Sequence, residues 1–276
     1  MKKIRLFFRY TAFGRILYIP LRFLFGLSYV VPLVKNVWLW TFRSHETDNF
    51  TYDLTDTNKR YLAAFISQIA SVSYEEAYGY MQEINKDKVL LHSVRTRIAK
   101  SRDRHHIDDT MFFGRRIGWY MLVRILKPKI VVETGVEKGL GACVLTSALM
   151  KNAQEGYKGF YYGTEIDETA GNLFTELYNR FGRILFGDSI HTLKEFPEKI
   201  DLFIHDSDHN ASYEMKEYRT VKDKLSNNAY IISDNAHSTD SLLNFAKETK
   251  RKFLFFQEKP KNHWYPGAGI GVAFIK

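Results

Sequence analysis

The chain has a single cysteine among its 276 residues, Cys143, so neither a disulfide framework nor a cysteine-built zinc site can form within one copy. It contains no G-x-G-x-x-G and no G-x-x-x-x-G-K-[ST], which removes the dehydrogenase fingerprint and the nucleotide phosphate loop. Residues 1–43 lack any Asp or Glu but hold eight of the nine net positive charges. The remainder is therefore close to neutral, and nucleic acid is excluded as a partner for the bulk of the protein. Cys143 sits in an apolar, helix-like stretch, where it reads as a small buried hydrophobe and fits a reducing, cytoplasmic setting.

The amino-terminal 43 residues also carry eleven aromatics, among them Phe23, Phe25, Trp38 and Trp40. Basic residues mixed with Trp, Phe and Leu suit a segment lying at an anionic membrane surface. The longest uncharged run there, Phe23 to Val34, has twelve residues, includes Gly26 and Pro32, and is followed by Lys35-Asn36. A span needs about 20 apolar residues, so peripheral attachment at the cytoplasmic face is expected rather than a crossing. A helical lid or a homo-oligomer contact is the alternative. Arg9, Arg15 and Arg22 break the apolar region that a secretory signal would need. Residues 44–110 read as a polar linker followed by a helical cap, and 111–276 as the main domain. Met111 to Leu126 is expected to be helical, ending before Pro128.

From Lys129 onward, apolar runs at 129–134, 159–165, 183–187, 200–206, 229–234, 252–258 and 269–275 alternate with helical patterns at 140–152, 168–181, 190–196, 210–226 and 238–250. Near-continuous apolar strands suit a mostly parallel sheet covered on both faces. The fold class is α/β: a doubly wound, seven-stranded, Rossmann-like sheet, preceded by a helical amino-terminal region. No helix separates the last two strands, which predicts one antiparallel strand at the end.

Ligands of such sheets sit outside the carboxyl ends of the strands. Read in order, those ends are Glu133-Thr134-Gly135, Glu165-Ile166-Asp167, Gly187-Asp188-Ser189, His205-Asp206-Ser207-Asp208-His209 and Asp234-Asn235-Ala236-His237. After the first comes a turn through Gly135, Gly139 and Gly141 into an apolar helix, the geometry that lets backbone approach a nucleotide-like ligand. Glu165 is placed to accept hydrogen bonds from a ribose diol, and Asp188-Ser189 to meet an adenine ring. Asp206, Asp234 and Asn235 are hard oxygen donors at adjacent strand ends, a set suited to Mg²⁺ or Ca²⁺. The bland reading of the same residues is as turn acids and helix caps.

These residues resemble a known family. The order E-x-G-x-x-x-G, Glu165, Gly187-Asp188-Ser189 and the acid-rich fourth and fifth strand ends is similar to class I S-adenosylmethionine-dependent methyltransferases over about residues 110–276. Asp206 with Asp234-Asn235 resembles the divalent-metal-dependent O-methyltransferases of the catechol and caffeoyl-CoA type. Asp206-Ser-Asp-His209 followed by Tyr213 resembles the macrolide-sugar and cephalosporin-associated relatives. The resemblance implies S-adenosylmethionine bound by Glu133, Gly135, Gly139, Gly141, Glu165, Asp188, Ser189 and Asp206. It also implies Mg²⁺ on Asp206, Asp234 and Asn235, with Asp208 the alternative first ligand, and His209 or His237 as general base. Gly141 departs from the pattern, since relatives often carry Ser or Thr there to touch the methionine carboxylate. The implied acceptor is a hydroxyl of a sugar, glycan or phenol. A metal-independent methyltransferase and a non-catalytic membrane-associated scaffold are the rivals.

Overall fold

Seven apolar runs become seven strands: β1 (Ile130–Thr134), β2 (Phe160–Glu165), β3 (Gly182–Phe186), β4 (Ile200–His205), β5 (Leu225–Ser233), β6 (Lys252–Gln257) and β7 (Gly269–Phe274). They form one sheet in the order β3-β2-β1-β4-β5-β7-β6, with only β7 antiparallel to its neighbours. This computed structural model describes residues 10–108, 110–174 and 176–275. The chain divides into two compact units, one of residues up to His45 with Asn262–Pro266, the other of Glu46–Lys261 with the residues from Gly267 onward.

In the first unit, helix α1 (Ala12–Arg43) is continuous over 32 residues and passes through Pro20 and Pro32. Neither Gly26 nor Lys35-Asn36 interrupts it.

In the second unit, α2 (Asp56–Ala70), α3 (Tyr74–Asn85) and α4 (Lys88–Lys100) begin on Thr55, Ser73 and Asp87. Each of these side chains accepts a backbone N–H of the first turn that would otherwise lack a partner. α5 (Arg116–Leu126) starts five residues later than its apolar pattern suggests. Gly114 there turns at φ +49° with the Tyr52 ring 2.6 Å from where a Cβ would stand, and this tight packing fixes a turn in place of the expected helical start.

The sheet is flanked further by α6 (Leu140–Gln154), α7 (Ser189–Glu195), α8 (Ala211–Val221) and α9 (Ser241–Glu248). The helix expected at 168–181 is absent; the described residues there form turns. Asp167 accepts from the Thr169 N–H at 2.8 Å, and Gly171 turns at φ +75° with its N–H bonded to the Glu137 carbonyl. These local bonds hold the backbone out of helix. The core on one face joins Phe203 and Ile231 to Tyr218 and Phe245. Cys143 is fully buried, its Sγ 3.3 Å from the Leu173 carbonyl, and burial pushes its thiol pKa up.

Strand register aligns the carboxyl ends. Thr134 pairs with Thr164 and with His205, and His205 pairs with Ser233. The next residue of each strand, Gly135, Glu165, Asp206 and Asp234, therefore falls in one row along the carboxyl edge. Gly135 lies at φ +81°, and a Cβ there would stand 2.3 Å from the Asp206 carbonyl oxygen, a backbone atom that cannot move aside. Gly156, at φ +93°, has open space around it. Gly156→Ala should cost only its backbone strain, about 1–2 kcal/mol. Gly135→Ala should cost distinctly more and lower the thermal midpoint further in calorimetry. Equal losses would show that the turn has room.

Candidate active site

The acid ending β2 clasps the turn after β1. Glu165 Oε2 accepts the Val136 and Glu137 N–H groups at 3.0 and 2.8 Å, and Oε1 accepts those of Ile166 and Asp167 at 2.8 and 3.1 Å. The carboxylate stays partly exposed, at the mouth of the strand-end row.

At the ends of β4 and β5, Asp206, His209 and Asp234 converge, with one ligand atom of each within 4.8 Å of the others. His209 Nε2 lies 3.9 Å from Asp206 Oδ1 and 2.8 Å from Asn235 Nδ2. An amide NH₂ can only donate, so this contact leaves the lone pair on Nε2 and the proton on Nδ1. It also leaves Asn235 Oδ1 free to act as a donor atom. Of the two candidate aspartates, Asp206 faces Asp234, whereas Asp208 is exposed and accepts the Asn210 N–H at 3.0 Å. His237 is also exposed.

Asp234 is fully buried and held by Nε and Nη2 of the Arg115 guanidinium, one to each carboxylate oxygen. The same guanidinium reaches Tyr52 Oη at 2.5 Å and Glu258 Oε1 at 3.3 Å, while Tyr52 donates to Glu258 Oε2 at 2.8 Å. Burial alone would raise the pKa of Asp234, but the charge and hydrogen bonds of Arg115 outweigh it and bring the value down to about 2. Asp206 goes the other way: burial, then the neighbouring Asp234 charge, push it well above the usual carboxylate range. Arg115 thus favours the ionised form of Asp234, and the Asp234 charge favours the protonated form of Asp206. His209 is lowered, mainly by burial, and so favours the neutral ring.

Behind this row stands Glu217 of α8, fully buried. It accepts from Thr134 Oγ1 at 2.7 Å, Ser207 Oγ at 2.8 Å and Ser189 Oγ, and pairs with His205 Nδ1 at 2.6 Å. Ser189 is thereby committed to Glu217, and to Tyr213 at 2.8 Å. Asp188 caps α7 through the His191 N–H at 3.0 Å while its other oxygen accepts from Tyr213 at 3.0 Å.

The glycine turn packs as closely on protein as on any ligand. A Cβ on Gly141 would stand 2.2 Å from Glu133 Oε1 and 2.9 Å from the Trp119 ring, which accounts for the missing Ser or Thr. Gly139 turns at φ +94° against Gly171. Glu133 is buried with Tyr161 donating to it at 2.5 Å. Arg116 supplies positive charge toward Glu133, Asp206 and Asp234, and its Nε is buried with no hydrogen-bond partner among the described residues. Sequence reasoning missed Arg115, Arg116, Tyr52, Glu217 and Glu258. Glu258 closes the apolar run 252–258, and the other four lie outside the strand ends. The adjacent Arg115-Arg116 near the start of the main domain was the only signal for the first two.

Residues 132–236 match the family model of a methyltransferase domain. No curated protein matches the chain. Among solved structures, the chain is similar to the O-methyltransferase of Bacillus cereus, solved in complex with SAH. That likeness has 17% identity and a TM-score of 0.51, over 69% of this chain and 92% of that one. It is also similar to the O-methyltransferase TomG of Streptomyces achromogenes, involved in tomaymycin synthesis and solved with SAM. There the identity is 12% and the TM-score 0.52, over 69% and 91%. A third is described as a putative O-methyltransferase of Klebsiella pneumoniae, at 13% identity and a TM-score of 0.51, over 71% and 94%. The sheet order and these likenesses give the chain the class I S-adenosylmethionine-dependent methyltransferase fold.

Glu133 offers a pH test of how the turn is buried. Burial, opposed by the Tyr161 hydrogen bond and the Arg116 charge, raises its pKa from 4.5 to about 8. The folded protein therefore holds a proton that the unfolded chain releases. This contribution is complete below pH 4.5, shrinks as pH rises, and is gone above about 8. Glu133→Gln, which can still accept from Tyr161, should lose less stability across that window, by roughly a few kcal/mol. Urea unfolding from pH 5 to 8.5 measures it; parallel decline of the two proteins would contradict a protonated Glu133.

Proposed function

We propose that this methyltransferase-fold chain methylates a hydroxyl group, with S-adenosylmethionine as donor and a divalent cation such as Mg²⁺ at the acid pair. The observation that carries this reading is the convergence of Asp206, Asp234, Asn235 and His209 at the carboxyl ends of two adjacent strands, next to the glycine turn.

The residues suit both groups. Asp206 and Asp234 face each other, the charge of Asp234 raises the pKa of Asp206, and a divalent cation would relieve that repulsion. Asp206, Asp234 and the free Asn235 Oδ1 would hold it, the hard oxygen set Mg²⁺ prefers. Glu165 would accept from the ribose hydroxyls of the donor. The partnerless Arg116 Nε would meet the methionine carboxylate, the contact that Gly141 cannot make. When bound, S-adenosylmethionine supplies an electrophilic methyl on sulfonium, and the cation supplies Lewis-acid polarisation of the acceptor hydroxyl.

The chain's own part is proton transfer and placement. His209, neutral, would give up the Asn235 N–H and accept the hydroxyl proton on Nε2 as oxygen forms its bond to the methyl carbon. With the donor bound, the hydroxyl proton would rest on His209, and the bonding pair of the departing methyl would remain on sulfur as a thioether. Arg115 keeps Asp234 ionised and fixed. The acceptor is a hydroxyl of a sugar, glycan or phenol, and the basic aromatic amino terminus supports one presented at a membrane. A metal-free enzyme is the second reading, favoured by Arg115, which already neutralises Asp234.

Asp206→Ala should abolish turnover while S-adenosylmethionine still binds, and His209→Ala should lose roughly 10²–10⁴ in rate. Chelator should silence the wild type and Mg²⁺ restore it; full activity in chelator selects the metal-free reading. Arg116→Ala should weaken donor binding in calorimetry by about 1.5–3 kcal/mol, the worth of a charged hydrogen bond. Unchanged affinity would take Arg116 out of the donor site.

A further inference from the structure

A surface-lying helix needs one polar face, and α1 has none in its middle. Phe23, Leu24 and Phe25 follow one another at about 100° intervals and are 66%, 59% and 67% exposed. Val30, Val31 and Val34 continue the pattern, so apolar side chains stand out in every direction. A helix that is hydrophobic all round is either buried in protein or in lipid, and among the described residues none of its most apolar stretch is buried in protein. A second copy paired through a coiled coil would call for a narrow apolar seam with a polar back, which α1 also lacks.

Charge position completes the argument. Only one charge, Arg22, interrupts the stretch Ile16–Val34. Its Nη2 reaches back along the helix to donate to the Arg15 carbonyl at 3.2 Å, which draws the guanidinium toward the amino-terminal end of that stretch. Long basic side chains snorkel in this way toward a membrane interface. The nineteen residues Ile16–Val34, at about 1.5 Å each, span about 28 Å with that one charge drawn toward their amino-terminal end, close to the roughly 30 Å of a bilayer's hydrocarbon core. Ser28 donates to the Phe25 carbonyl at 2.6 Å, which meets its own hydroxyl donor within the helix. The flanking charges are all basic: Arg15 and Arg22 at one end, Lys35 and Arg43 at the other.

The last turns of α1 carry aromatics that a distant loop enlarges. Trp38 packs on Phe42 at 4.9 Å, and Trp40 on Trp264 at 5.3 Å. Asn36 Nδ2 donates to the His263 carbonyl at 3.3 Å, tying Asn262–Pro266 to the helix more than two hundred residues away in sequence. Trp and Tyr concentrate where bilayer meets water.

We infer that α1 crosses a lipid bilayer, with Ile16–Val34 in the hydrocarbon and Trp38, Trp40, Trp264 and Tyr265 forming a belt at one interface. The sequence alone favours peripheral attachment, because Arg22 shortens the apparent apolar run; the crossing is the reading inferred in its place. It goes beyond the proposed reaction and does not depend on it.

The full chain is reconstituted with liposomes of phosphatidylcholine and phosphatidylglycerol and floated after a high-salt wash and after an alkaline carbonate wash. It should float after both. Release by salt would show surface adsorption and overturn the crossing. Failure to float, with a dimer in light scattering, would make a second copy the occupant. Acyl chains brominated at different depths provide a second readout, because Trp119 is fully buried and only Trp38, Trp40 and Trp264 can meet lipid. Shallow bromines should quench more than deep ones, and Trp264→Phe should remove part of that quenching. The strongest quenching by deep bromines would overturn the belt. Val30→Asp should weaken partition roughly a hundredfold, with an unchanged melting curve showing the rest of the chain folded. Undiminished flotation of that variant would overturn the crossing.

Discussion

The candidate site depends on one buried guanidinium. Arg115 binds Asp234 at the end of β5, Glu258 just beyond β6 and Tyr52 ahead of α2, so three distant stretches of chain meet on a single charge. Two buried carboxylates would otherwise face each other in a medium that screens poorly. Removing one partner of such a pair typically costs about 3–5 kcal/mol, because the charge left behind has nowhere to go. The same cation sorts the acid pair: it fixes which carboxylate stays ionised and passes the repulsion on to Asp206. The chemistry of the row is thus set by a residue that need not touch any substrate.

A second set of buried acids works by hydrogen bonding. Glu217 accepts from groups at the ends of β1 and β4 and from the start of α7, and Glu214 accepts from Ser233 at 2.7 Å, Tyr218 at 2.5 Å and Thr239. One helix therefore gathers three strand ends through its carboxylates. A strand end allowed to drift by an ångström would separate the donor atoms of Asp206, Asp234 and Asn235. Glu214 and Glu217 are positioning residues of the site, one layer behind it.

The row itself was legible in the sequence because a parallel sheet turns local order into spatial order. Each apolar run ended in an acid or polar residue, and parallel pairing sets equivalent ends side by side. The clasp around Asp234 was not legible, since Tyr52, Arg115 and Glu258 share no period and no motif. The stretch 168–181 misled for a different reason. Leu173 with Leu177, and Phe174 with Tyr178, have helical spacing, and the Phe174 and Tyr178 rings do stack at 6.2 Å. The turn at Gly171 and the local bonds of Asp167 decided the backbone instead. In the amino terminus the sequence shows where the Arg22 charge is attached, and the structure shows its side chain reaching back to the Arg15 carbonyl.

The lone cysteine has a practical consequence. Cys143 is sealed in α6, against the Leu173 carbonyl, with its thiol held in the unreactive protonated form by burial. Alkylating reagents attack thiolates that solvent can reach. A cysteine introduced at any exposed position would then be the sole addressable thiol. Spin labels, fluorophores or crosslinkers can be placed on either unit without first stripping the native residue.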